Sequence, residues 1–256
     1  MMNRLVVYTC VTGAYDKLKP LTCRVPWADY VCFADGLESE GWDVRPVSWT
    51  ASDPVSLSRY SKLNPHKVLP EYEYSLWIDG NVDILSDSVY ETIRHMMDED
   101  VLYGALSHPE RDDVYDEALR IVANGRESLA NAARTVSFLR GEGFPRHWGL
   151  YENNVILRKH NAPEVVAFDS LWWKMFSRFS RRDQLTCTYC MWKTDLTVFL
   201  LLPEGRCARN SSEFGYTFHG KQYVKDRSLK GRVIDARTAV KVFVFKLFLK
   251  LEGCGS

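Results

Sequence analysis

A chain of 256 residues with 46% hydrophobic side chains can bury one substantial core, and no compositional shift marks a flexible linker, so a single globular domain is expected. The 33 Lys and Arg balance the 33 Asp and Glu, which argues against nucleic-acid binding, and seven irregularly spaced cysteines argue against a disulfide framework. No stretch reaches the roughly 18 apolar residues of a membrane span. The opening MMNRLVVYTCV reads as a first strand rather than a secretory signal, so the expected location is cytoplasmic.

Arg4 to Val11 is the first expected strand, followed by a small-residue turn through Thr12, Gly13, Ala14, Tyr15 and Asp16. Such a turn at the carboxyl end of a first strand is a common nucleotide seat, which makes Thr9, Gly13 and Tyr15 candidate contacts, Tyr15 by stacking on a base. A second strand over Tyr30 to Ala34 runs into Asp35, read equally well as a ribose or base acceptor and as a turn aspartate. Asp43 to Trp49 suits an edge strand, since Pro46 cannot donate to a central ladder. In LSRYSKLNPHKVLPEY, Ser56 or Ser58 is the candidate helix cap, and Pro65 and Pro70 interrupt the chain. Arg59, Lys62 and Lys67 are expected along one side of this segment, available to a diphosphate.

The stretch LWIDGNVDI is the most informative. Leu76, Trp77 and Ile78 form a strand buried on both faces, and the chain then offers Asp79, Asn81 and Asp83. Ligands bind outside the carboxyl ends of strands in open α/β sheets, and a short acidic turn there supplies oxygen ligands for a divalent cation. A lone DxN is more often a set of turn caps, so neighbouring signals must carry the metal reading.

Helices are expected at Asp87 to Met97, Asp112 to Asn124, Arg126 to Arg140 and Ala162 to Phe179, with strands at Val101 to Leu106 and Asn154 to Arg158. Glu152 and Asn153, just before the second of these strands, are placed to line a pocket. Asp183 and Gln184 open a further helix, where capping alone explains an acid. Cys187 and Cys190 form a CxxC with no second half of a zinc set, and are read as packing residues. Val198 to Leu202 is the last expected buried strand. His219 and Lys221 then flank Gly220, an imidazole suited to metal beside a cation suited to phosphate. From Lys221 to Lys250 nine Lys or Arg face two Asp. The segment 236–256, set apart from a main domain over 1–235, is read either as a helix docked on that domain or as an interfacial element in peripheral contact with the inner membrane face.

Through YTCVTGAYDKL, YVCFADG, RYSKLNPHKVLPEYEYSLWIDGNVDI, GLYENNVILR and SRRDQ the chain resembles the glycosyltransferase-like family catalogued as domain of unknown function 616. More distantly it is similar to the glycogenin and lipopolysaccharide galactosyltransferase group. That resemblance implies a GT-A fold, a Rossmann-related mixed α/β sheet flanked by helices. It also implies a Mn²⁺ or Mg²⁺ ion held by Asp79, Asn81 and His219, with Lys221 on the diphosphate and Asp183 and Gln184 at the acceptor and the transferred sugar. Asn81 departs from the usual acid of that group; its amide oxygen can still coordinate, with Asp83 as the substitute.

The expected activity is a hexosyl transfer from a nucleotide-diphosphate sugar, with a UDP-linked donor expected, to a glycan or lipid-linked acceptor. Arg59, Lys62, Lys67, Asn153 and Lys221 are expected at the donor. A metal-dependent hydrolase and a non-catalytic sugar-nucleotide or glycan-binding module are the alternatives from other classes.

Overall fold

The computed structural model describes residues 4–13, 18–51, 53–217 and 229–254, with the backbone alone over 229–235. Its strands are β1 (Leu5–Cys10), β2 (Ala28–Phe33), β3 (Asp43–Arg45), β4 (Tyr74–Ile78), β5 (Val82–Ile84), β6 (Tyr103–Ser107), β7 (Tyr151–Arg158), β8 (Phe199–Leu200) and β9 (Phe214–Tyr216). The helices are α1 (Pro54–Leu63), α2 (Pro65–Val68), α3 (Asp87–Asp98), α4 (Val114–Ala123), α5 (Leu129–Gly141), α6 (Pro163–Arg178), α7 (Gln184–Thr194) and α8 (Leu229–Leu251).

Seven strands form one mixed sheet in the order β3-β2-β1-β4-β7-β6-β8, and β5 pairs with β9 in a separate two-stranded sheet. β3, β2, β1 and β4 are mutually parallel, whereas β7 runs antiparallel to both β4 and β6. Both faces of the sheet are covered, as a parallel centre requires. Val6, Tyr8, Trp77 and Ile156 meet Phe168 and Trp172 of α6 and Cys187 and Cys190 of α7. The alternate residues Val7, Leu76, Ile78 and Leu157 meet Tyr90 and Ile93 of α3 on the other side, following the two-residue period of a strand. This is the mixed, helix-flanked α/β sheet expected from the sequence.

Several boundaries differ from expectation for local reasons. Neither Ser56 nor Ser58 caps α1; Asp53 does, accepting from the Val55 and Ser56 N–H groups, with Pro54 at the first helical position. β3 stops at Arg45, one residue before Pro46. The stretch Val198 to Leu202 yields only the two residues of β8 at the sheet edge, with Phe199 47% exposed, rather than a buried strand. β7 begins at Tyr151, so Glu152 and Asn153 lie within the strand and not before it. Opposite them the register with β6 breaks, jumping from Ala105↔Ile156 to Leu106↔Glu152, an irregularity that re-aims side chains. β9 was not anticipated. All seven cysteines are free, and Cys187 and Cys190 are packed in the core. Among the described residues no helix is long and apolar enough to cross a membrane.

The apolar centre contains one fully buried ion pair. Arg158 donates to Asp169 at 2.8 Å, to the Tyr8 hydroxyl at 2.8 Å and to the Lys62 carbonyl at 2.7 Å. Removing one member strands a buried charge, so Arg158→Met should cost about 3–5 kcal/mol in urea unfolding, whereas the double variant Arg158→Met/Asp169→Leu should recover much of the loss.

Candidate functional site

The parallel strands β1, β2 and β4 end on one edge of the sheet, and α1 is fastened across it. The Thr12 hydroxyl donates to the Pro54 carbonyl at 2.7 Å, and the Ser58 hydroxyl donates to the Cys10 carbonyl at 3.3 Å. Gly13 has φ +65°, and a Cβ there would lie 2.6 Å from Cβ of Pro54, so this turn accepts only glycine without rearrangement. Arg59 and Lys62, three residues apart on α1, share a side of the helix.

Lys62 is the centre of the site. It is 1% exposed, and its ammonium lies 3.2 Å from Oδ1 of Asp79 and 2.8 Å from Oδ2 of Asp183, above the Trp77 ring at 5.5 Å. Asp79 also accepts from the Trp77 indole at 2.7 Å, and its backbone N–H donates to the Asn154 carbonyl at 2.9 Å. The Val82 N–H then closes the turn onto the Asp79 carbonyl at 2.8 Å and starts β5. Asp183 is supplied by α7 as its N-cap, where its Oδ1 accepts from the Gln184 N–H at 3.1 Å. Arg59 adds a second cation at 3.3 Å. Burial works to raise the Asp183 pKa, but Lys62 and Arg59 outweigh it and hold the carboxyl down at about 2. Two carboxylates and two cations thus meet at the strand ends, Lys62 between both acids and Arg59 against Asp183.

The remaining expected residues fall around this centre or away from it. Gln184 donates to the Tyr151 carbonyl at 3.0 Å. Asn153, 7% exposed, lies in the irregular stretch of β7, and neither atom of its amide has a hydrogen-bond partner among the described residues. Thr9, 1% exposed and with an unpartnered hydroxyl, lines a narrow recess with Trp42, Ile78, Asp79 and Asp83. Asp35 is exposed and accepts from the Val47 N–H at 3.1 Å, the bond a turn aspartate makes. Lys67 does not join Arg59 and Lys62: it is exposed on α2, 5.9 Å from the centre of the Tyr60 ring. Pro65 ends the α1 periodicity before Lys67 is reached. Tyr15, His219 and Lys221 lie outside the described residues.

For a metal, no three His, Cys, Asp or Glu side chains converge among the described residues. Asn81 is 4% exposed, and its Nδ2 donates to the Thr217 carbonyl at 2.7 Å, which leaves its amide oxygen as the metal-competent atom. Asp83 is engaged by the backbone N–H and the hydroxyl of Thr22. The Asp79 carboxylate and the Asn81 amide oxygen are of the hard donor type that Mg²⁺ and Mn²⁺ take, ions that complete their shells with water and phosphate oxygens.

A second charged array was invisible as a unit in the sequence. Glu152 on β7 is paired with Arg209, and its Oε2 accepts from Asn154 at 3.0 Å. His108, after β6, stands 4.0 Å from Glu152 and from Glu117, which accepts from Arg111 at 2.7 Å. Burial, then Arg111 and Arg209, keep His108 neutral with a pKa near 4. The only local signal was the run His108 to Asp113 at a strand end, rich in ionisable groups.

A mixed α/β sheet whose parallel strand ends gather carboxylates, cations and unpartnered buried polar atoms has the arrangement of the open α/β domains, in which ligands bind outside the carboxyl ends of the strands. The chain belongs to the TOD1/MUCI70 glycosyltransferase-like domain family, whose model matches residues 48–211, a span that includes Arg59, Lys62, Asp79 and Asp183. It is 31% identical over 210 residues to the protein named "Probable hexosyltransferase MUCI70" of Arabidopsis thaliana. That match takes in 71% of this chain and 36% of the plant protein, so the chain spans about a third of its curated relative. Among solved structures it is similar to mouse xyloside xylosyltransferase 1 in its apo form, with 11% identity, TM-score 0.44, and 77% of this chain and 84% of that one covered. It is also similar to the apo WbbM bifunctional glycosyltransferase, with 10% identity, TM-score 0.42, and 77% and 38% covered.

The depressed Asp183 pKa fixes a sign. The carboxylate stabilises the fold above its ordinary pKa near 4, and that contribution is lost as pH falls through about 2. Asp183→Asn should therefore cost about 2 kcal/mol at neutral pH, and the gap to the parent protein should close between about pH 4 and pH 2 in unfolding measured across that range.

Proposed function

We propose that this domain is a metal-dependent glycosyltransferase that moves a hexose from a nucleotide-diphosphate sugar, UDP-linked, to a glycan or lipid-linked acceptor in polysaccharide biosynthesis. The observation that carries the reading is the facing of Asp79 and Asp183 across Lys62 and Arg59 at the carboxyl edge of β1 and β4. Family membership makes sugar transfer the first chemistry to assign to that edge.

In this reading the bond from the anomeric carbon to the diphosphate oxygen breaks, a bond from the acceptor oxygen to that carbon forms, and the acceptor loses its hydroxyl proton. A Mg²⁺ or Mn²⁺ ion on Asp79 and Asn81, with His219, would supply Lewis-acid neutralisation of the departing diphosphate. Lys62 and Arg59 carry the cationic charge at the strand ends that a diphosphate needs, Arg59 offering the planar fork suited to phosphate oxygens. A diphosphate drawing on both cations loosens their hold on Asp183. The freed carboxylate then gains basicity and faces the electron-poor anomeric centre, either to take the acceptor proton or to steady positive charge. Asn153 and Thr9, buried with unpartnered polar atoms, are suited to donor hydroxyls.

Thermal unfolding with a panel of nucleotides and nucleotide sugars, with and without Mn²⁺, tests the donor class. A UDP compound should raise the midpoint chiefly when metal is present. Asp79→Ala should remove that metal dependence and lower transfer by at least about a hundredfold with the fold intact; undiminished transfer would remove Asp79 from the metal site.

A further inference from the structure

The helix α8 carries two apolar faces. Phe245 and Leu249, at 0% and 3% exposure, are buried in the core cluster that includes α4 and α5, and Cys254 just beyond the helix is buried with them. The end is fastened by Glu252, which accepts from the Ser137 hydroxyl at 2.6 Å and, through its carbonyl, from Arg140 at 2.9 Å. The other face is open: Val240, Phe243, Val244, Leu247 and Leu251 are 62%, 69%, 46%, 52% and 82% exposed. At about 100° per residue these five fall within an arc of roughly 100° along about 17 Å of helix.

Charge says what covers this stripe. On the same helical wheel Arg237 and Lys241 flank it on one side and Lys246 and Lys250 on the other, all four exposed. From Ala236 to Leu251 there is no acidic residue. The groove between α4 and α8 contains one acid, Asp116, which is already engaged by Arg146 at 3.3 Å. A second protein copy would bring this same cationic rim against itself. A lipid bilayer with anionic headgroups offers apolar depth to the stripe and negative charge to both flanks at once.

We propose that the exposed face of α8 is a docking surface for an anionic membrane, on which the domain lies with α8 in the interfacial plane. The surface is separate from the strand-end site, and the inference stands independently of the sugar-transfer reading.

The test is co-sedimentation of the full chain with phosphatidylcholine vesicles with and without phosphatidylserine, at low and physiological salt. Binding should require the anionic lipid and weaken as salt rises. Phe243→Ser with Leu247→Ser, and separately Lys241→Glu with Lys246→Glu and Lys250→Glu, should each weaken it at least about tenfold. Because these side chains are exposed, the urea midpoint of both variants should match the parent, whereas Phe245→Ser should lower it. Three results would overturn the proposal: no sedimentation at low salt, retention unaltered in both variants, or a concentration-dependent dimer that Phe243→Ser abolishes without any vesicle binding.

Discussion

A lysine that is 1% exposed is tolerated only where its charge is met, and Lys62 is met twice, by Asp79 and by Asp183. The arrangement joins parts of the chain far apart in sequence: the end of β4, the start of α7 and the last turn of α1. Its geometry is fixed from beneath. Arg158 on β7 holds the Lys62 carbonyl, and Arg158 is itself oriented by Asp169 of α6 and by Tyr8 of β1. A buried ion pair of this kind contributes little net stability over an apolar replacement, but it holds one backbone atom in one place. That atom belongs to the residue on which both acids converge, so the strand-end site inherits its order from the polar interior below.

This dependence bears on chemistry. A carboxylate with a pKa of about 2 is a weak base, so while Lys62 and Arg59 stay on Asp183 the site is electrostatically quiet. On the proposed function a diphosphate would draw on these same cations, and a ligand that competes for them would change the acid as well as bind. An exchange of this type needs no large movement, because Lys62 has a flexible four-carbon stem and Arg59 is already 21% exposed. It also explains why an isolated acidic turn was weak evidence. The identity of the site lies in which cations can reach Asp79 and Asp183 together, and only the packing of α1 against β1 decides that.

The sheet and most of the helices were legible because their apolar periods are long and their breaks are marked by Pro, Gly and Asp. The run through Leu76, Trp77 and Ile78 into Asp79 announced a strand end, and Arg59 with Lys62 announced a shared helix side. Lys67 stands apart from Arg59 and Lys62 because a spacing counted across Pro65 assumes one continuous helix where the chain restarts as α2. Polar residues argue against buried β structure, which puts Glu152 and Asn153 before their strand; they lie in it because the register irregularity with β6 lets Glu152 meet Arg209 and leaves the Asn153 amide without a partner among the described residues. No local pattern could pair Val82 with Tyr216 across so much chain, or gather His108, Glu117, Glu152 and Arg209.

The terminal helix shows a different limit. Docked helix and interfacial helix were competing readings because apolar residues occur almost all round α8, so periodicity gives no single buried face. The structure shows the docked face and leaves the other face exposed. Phe245 and Leu249 are spent on the core, Glu252 locks the end to α5, and the residues left over still form a continuous stripe. A helix fixed on one side presents the other without the entropy cost that a free amphipathic segment bears when it orders on a surface. The open stripe is therefore presented on a rigid body, with its rim of Lys and Arg, as part of the folded domain.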